Sequence, residues 1–170
     1  MEIDIGGGYW IRSWKRGDEV LLARYGNNRK VWRNLRDSFP HPYGVDDGRQ
    51  WIRHCRAQAV ECYFAMADGA GPVGAIGLDL QEDIFRRSAE LGYWLGEPFW
   101  GRGIATKAVS ALSGYAFREM GLLRLYAYVF EENGASSRVL EKAGFALEGR
   151  LRCNAIKEGR LRDQRLYALL

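Results

Sequence analysis

A strand, a turn with two glycines and a long helix follow one another without a break in YWLGEPFWGRGIATKAV, residues 93–109. Gly101 and Gly103 allow left-handed backbone and a close approach of the main chain to a ligand. The helix that follows begins with four amides that have no intrahelical partner, at the positive end of its dipole. A phosphate or pyrophosphate fits such a place without a basic side chain. The donors this segment offers are the amides of Arg102, Gly103, Ile104, Ala105 and Thr106, with the Arg102 and Lys107 side chains adding charge. On spacing alone, an ordinary strand-to-helix turn is the competing reading. A dinucleotide fingerprint needs a third glycine where Thr106 stands, and the Gly-Lys-Ser/Thr of a nucleotide-triphosphate loop is absent.

The flanking sequence predicts the elements that this turn joins. Strands are expected at Tyr9–Trp14, Glu61–Ala67, Pro72–Gln81, Ser88–Leu95, Arg124–Phe130, Phe145–Arg152 and Leu161–Leu169. Helices are expected from a cap at Asp18 to Tyr25, over Arg29–Arg36, from Asp46 to Val60, over Gly103–Met120, and from a cap at Asn133 to Gly144. The helix from Gly103 is the strongest, with Ala105, Val109, Leu112, Ala116 and Met120 in one apolar stripe. Strand, helices, three strands, helix, strand, helix and two strands make a mixed α/β or α+β fold, with helices covering a central sheet. No linker or repeat interrupts the chain, so residues 1–170 are expected to form a single domain.

Composition narrows the chemistry. The 25 basic residues comprise 20 arginines and five lysines, and the net charge is +4. That whole excess falls in residues 149–170, where six basic groups meet Glu158 and Asp163. Basic charge without interleaved aromatics makes nucleic-acid binding the weaker expectation. Cys55, Cys62 and Cys153 form no CxxC pair, which fits a reduced, cytoplasmic protein. Two histidines give no basis for a multi-histidine metal site, and no metal is expected. No basic stretch leading into an apolar run marks a signal peptide, and no apolar stretch approaches a membrane span.

Two blocks, AELGYWLGEPFWGRGIATKAV and ENGASSRVLEKAGFALEGRL, together with VWRNLRDSFPHPY and RDQRLYALL, resemble the GNAT N-acetyltransferase superfamily and specifically its RimJ/RimL-like branch. The resemblance implies a mostly antiparallel sheet of about seven strands with splayed central strands, flanked by helices. It implies that the Trp100–Ala105 loop holds the pyrophosphate of acetyl-CoA, although the superfamily often has Gln or Arg where Trp100 stands. Pantetheine is then expected against the backbone of Tyr93, Trp94 and Leu95, in a gap between the strands at Glu90–Leu95 and Leu125–Phe130. Acetyl-CoA is the implied co-substrate, and a primary amine, possessed by a protein N-terminus or a small molecule, the implied acceptor. A ribosomal or other protein N-terminus and a homodimer are both compatible with the family.

Direct transfer to an amine requires a base, a polarised thioester carbonyl and a stabilised leaving thiolate. Glu90 is the expected base, against the alternative of a structural carboxylate paired with Arg86, Arg87 or another basic neighbour. Asn133 and Ser136 read from the sequence as a helix cap. The resemblance adds a role for Asn133 facing pantetheine and for Ser136 at the thiolate. The place where many superfamily members carry an acidic tyrosine is Leu140, and the place of a second glutamate base in some members is Ala155. Trp32, Asn34, Phe39 and Tyr43 are the expected acceptor-side residues, with plain core packing the competing reading for the aromatics, and Asp163 either orients an ammonium or pairs with Arg162 or Arg165. The alternative to an enzyme is a CoA-, RNA- or protein-binding module on the same fold.

Overall fold

The computed structural model describes all 170 residues. Eight strands form one sheet: β1 (Glu2–Asp4), β2 (Trp10–Arg12), β3 (Tyr63–Asp68), β4 (Gly71–Leu80), β5 (Ser88–Leu95), β6 (Arg124–Phe130), β7 (Ala146–Lys157) and β8 (Arg160–Leu169). Their order across the sheet is β1-β2-β3-β4-β5-β6-β8-β7. Every neighbouring pair is antiparallel except β5 and β6, which run parallel. The mixed, mostly antiparallel sheet therefore forms as expected, with one more strand, β1, than the sequence pattern shows. Five helices flank it: α1 (Glu19–Gly26), α2 (Arg29–Trp32), α3 (Val45–Arg56), α4 (Ile104–Arg118) and α5 (Gly134–Lys142). None is long and apolar enough to cross a membrane.

Strand alternation divides the core in two. Leu91 and Leu95 of β5 and Leu125, Ala127 and Val129 of β6 point to the side covered by α4 and α5. There Ile104, Ala108, Val109, Leu112 and Ala116 of α4 are buried, and the alanines let the helix axis approach the sheet. The opposite face packs Trp14, Leu22, Tyr43, Ile52, Cys55 and Ala75 beneath α1 and α3. Asp18 precedes α1 but makes no side-chain cap. Its carboxylate is taken instead by a buried, bidentate Arg12 at 2.7 and 2.9 Å and by the Lys15 amide at 2.9 Å. Helix α2 is a single turn, shorter than expected, because its Asn28 cap leads into only four helical residues before turns take over.

Candidate active site

The loop before α4 has the conformation its glycines permit. Gly101 and Gly103 adopt φ of 73° and 74°, and Gly103 is the N-cap of α4 with no side chain to cap the helix. The first bond into the helix runs from the Lys107 amide to the Gly103 carbonyl, at 3.1 Å. Before it, the six amides from Gly101 to Thr106 donate to no atom of the protein. A run of six free donors at a helix N-terminus is an anion cradle. Its surroundings fit a bulky ligand, since a Cβ built on Gly101 or Gly103 meets nothing within 4 Å. Arg102 lies beside the loop with its guanidinium carbon 5.5 Å from the Tyr9 ring centre. Trp100 turns inward and donates its indole N–H to the Leu95 carbonyl at 2.6 Å.

Beside this loop the sheet opens. β5 and β6 pair only at Ser88–Arg124, Ala89–Leu125 and Glu90–Tyr126, and both strands then continue without a partner across the gap. The Gly96 amide bonds Val73 on β4, and Ser88 bonds Gln81 just beyond the β4 end, so the even-numbered backbone of β5 faces β4. Odd-numbered residues therefore face the wedge. Tyr93 and Leu95 present main-chain groups there, whereas the Trp94 backbone is directed at β4, where it pairs with Ala75. The expectation for Trp94 thus meets the two-residue period of a strand. Gly92 sits in regular register opposite Gly77, with open space beside it. Gly96 has no such room, because a Cβ there lies 3.0 Å from Tyr25 and 3.1 Å from the Val73 carbonyl.

The α4–α5 side of the wedge carries two hydroxyls in contact. Asn133 caps α5 and accepts from the Ser136 amide at 3.3 Å. The Ser136 Oγ lies 2.7 Å from the Tyr93 Oη. Burial pushes the Tyr93 phenol up to about 12, so it stays protonated and able to donate at neutral pH. The sequence reading used only the Tyr93 backbone. Its side chain is missed because the contact joins residues 43 apart. Leu140 is fully buried in the core.

Glu90 occupies the opposite face, at the apex where β5–β6 pairing ends. Its basic neighbour is Arg36 at 2.6 Å, a more distant residue in sequence than Arg86 and Arg87. Burial raises the Glu90 carboxyl above its ordinary value, and the Arg36 charge opposes that rise. Arg36 also reaches Asp79 at 3.4 Å, and Asp79 accepts from Tyr63 Oη at 2.6 Å. Tyr126 and Tyr128 of β6 share this face, with ring centres 5.7 Å apart. The alternation in RLYAYVF separates these tyrosines from the inward Leu125, Ala127 and Val129, a signal the sequence offered.

The four expected acceptor-side residues are not all alike. Phe39 packs edge-on to Trp94 with ring centres 5.6 Å apart, and stacks on Tyr43. Tyr43 is only 5% exposed and packs in the core beneath α1 and α3. Trp32 lies under the Lys157 ammonium, 3.8 Å from its ring centre, and the Asn34 amide donates to the Lys30 carbonyl at 3.1 Å. Asp163 pairs with Arg150 at 2.6 Å and accepts from the Cys153 amide at 2.7 Å, rather than engaging Arg162.

This architecture matches known proteins. The acetyltransferase (GNAT) domain family matches residues 9–146. The uncharacterized N-acetyltransferase YoaA of Bacillus subtilis is 37% identical over 98 residues, which are 58% of this chain and 55% of that protein. The spermidine N(1)-acetyltransferase of Escherichia coli is 27% identical over 155 residues, covering 90% of this chain and 81% of that one. RimL, a ribosomal-protein alpha-N-acetyltransferase solved with coenzyme A, shares the fold at a TM-score of 0.88 and 21% identity, covering 100% and 98% of the two chains. Against YoaA and the Bacillus relatives like it, the chain spans about half of the relative's length. The match to residues 9–146, over most of the chain, places it in the GNAT acetyltransferase family.

Proposed function

We propose that the protein is an acetyl-CoA-dependent N-acetyltransferase of the RimJ/RimL-like branch, acting on a primary amine by direct attack in a ternary complex. The observation that carries this reading is the run of free amides from Gly101 to Thr106 beside an open strand edge. The amides hold the pyrophosphate, and Tyr93 and Leu95 bind pantetheine as a strand would. When bound, acetyl-CoA supplies an acetyl group activated as a thioester.

The two faces of β5 divide the remaining work. Glu90 and Tyr93 are three residues apart on opposite faces, about 10 Å along the strand. Glu90 takes the amine proton, directly or through water, and the upward push of burial makes it a stronger base than a free carboxylate. On the other side Ser136 donates a hydrogen bond to the leaving sulfur, with the Tyr93 hydroxyl behind it to orient and polarise the serine hydroxyl. Asn133 fixes the first turn of α5 and so the place of Ser136. Phe39 and Trp94 with Tyr126 and Tyr128 wall the acceptor side.

Incubation of the protein with acetyl-CoA and a panel of peptide and small-molecule amines tests the reading. CoA release is followed by chromatography, because exposed Cys153 reacts with thiol reagents. Acetylated amine and CoA in equal amounts are the expected result. Tight acetyl-CoA binding with no product from any amine favours the binding module instead.

A further inference from the structure

A polar cavity lies at the open end of the wedge and takes no part in the chemistry above. It is an open cleft of about 630 Å³ lined by Arg29, Lys30, Arg33, Glu158, Arg160 and Arg162, with no apolar side chain. Two segments make it. Helix α2 hangs from the end of β5, where Glu97 accepts from Asn28 at 2.8 Å and pairs with Lys30. The β7–β8 hairpin arches over from the β6 side and meets α2 through Arg29–Glu158 at 2.5 Å and the turns after α2 through Lys157–Asp37 at 2.7 Å. The tie is firm, since the Lys157 side chain is only 1% exposed and lies on Trp32.

The cavity faces the acceptor side. Gln164 pairs with Phe130, and strand alternation places Arg162 and Arg160 on the face of Gln164, Tyr128 and Tyr126. That is also the face of Glu90, whereas the amide cradle belongs to α4 on the other side. Three residues on from Arg33, Arg36 contacts Glu90, so the backbone that links the cavity wall to the base's partner spans at most about 10 Å, with the two arginine side chains extending that reach. The cations outnumber their partners. Arg29 is held by Glu158, Lys30 by Glu97 and Arg162 by Glu132, but Arg33 and Arg160 form no ion pair.

We propose that this cavity binds the anionic part of the acceptor, so that the substrate is a primary amine carrying carboxylates or phosphates two to four residues' length away, and not a polyamine. This rests on the transfer reading above and names its substrate class. With the amine at Glu90, the groups that follow it meet the unpaired guanidinium forks of Arg33 and Arg160, which suit both anions, beside three further cations that carboxylates already hold. A polyamine meets the same charges with the wrong sign.

Four peptides with an alanine N-terminus and a blocked C-terminus, bearing Asp, phosphoserine, Ser or Lys at positions two to four, separate the possibilities. At about 50 mM salt the acidic peptides should have a KM lower than the serine peptide by about tenfold or more, with a gap that narrows as salt screens the site. The Asp and phosphoserine arms show which anion is preferred. Charge reversal in Arg33→Glu/Arg160→Glu should remove the preference while leaving acetyl-CoA affinity unchanged, and the milder Arg33→Gln/Arg160→Gln should weaken it if the reversed pair folds poorly. Equal KM values for the acidic and lysine peptides overturn the proposal, as does an unchanged acidic-peptide KM in the folded variants. If no peptide is acetylated, the transfer reading fails and calorimetry still decides the cavity. Acidic-peptide binding by the wild type and not by the variants upholds it, and no binding by the wild type overturns it.

Discussion

Replacing Gly103 by alanine isolates what the left-handed turn contributes. The residue sits at φ 74° and a Cβ there meets no atom within 4 Å, so crowding plays no part. Only the backbone conformation is penalised, by about 1–2 kcal/mol for an L-residue in this region. That cost has two destinations. If the loop keeps its shape, the protein loses that much stability, which for a domain of this size is about 2–8 °C in Tm. If the free loop relaxes, acetyl-CoA must restore the turn on binding, and Kd rises by about 5- to 30-fold. Calorimetric titration of acetyl-CoA and thermal unfolding on the same sample measure both. Gly17 supplies the control, because it has φ 97° and equal space around it, in the turn just before α1. Gly17→Ala should lower Tm to a similar extent and leave Kd alone. A Gly103→Ala protein with wild-type Tm and wild-type Kd would mean that the left-handed turn contributes nothing to either.

Other substitutions probe the remaining parts. Ser136→Ala should lower kcat by about 100-fold with little change in acetyl-CoA affinity, whereas Tyr93→Phe, which leaves Ser136 in place, should cost about tenfold; steady-state kinetics with both substrates varied checks this. Arg36→Gln removes the cation that opposes the burial-driven rise of Glu90, so the acid limb of the kcat/KM profile should move to higher pH, and an unmoved limb removes Glu90 as base. Asp37→Ala strands a buried ammonium and should cost about 1–3 kcal/mol in denaturant unfolding, while Lys157→Met, which keeps the volume, should cost less.

Local patterns were legible and distant pairings were not. The strands at Ser88–Leu95 and Arg124–Phe130 were read to the residue, because turns bound them sharply on both sides. The amide cradle was legible for the same reason, since its donors are consecutive in the chain. β1 escaped, as three residues at a sheet edge are too few to show alternation. β7 extends further than expected because register shifts between Leu147 and Gly149 and between Leu151 and Ala155 interrupt its period. Arg36 with Glu90 and Tyr93 with Ser136 join residues 54 and 43 apart, and no local spacing encodes such a meeting. The basic excess of the last 22 residues took on meaning only when the hairpin brought Arg160 and Arg162 beside α2.

Amide NMR on acetyl-CoA addition tests, residue by residue, whether the six unsatisfied amides hold the pyrophosphate. The signals of Gly101 to Thr106 should move downfield together and gain protection from exchange, while Gly17 and the amides of α3 stay still. Shifts confined to other parts of the chain, with these six unchanged at saturation, contradict the account.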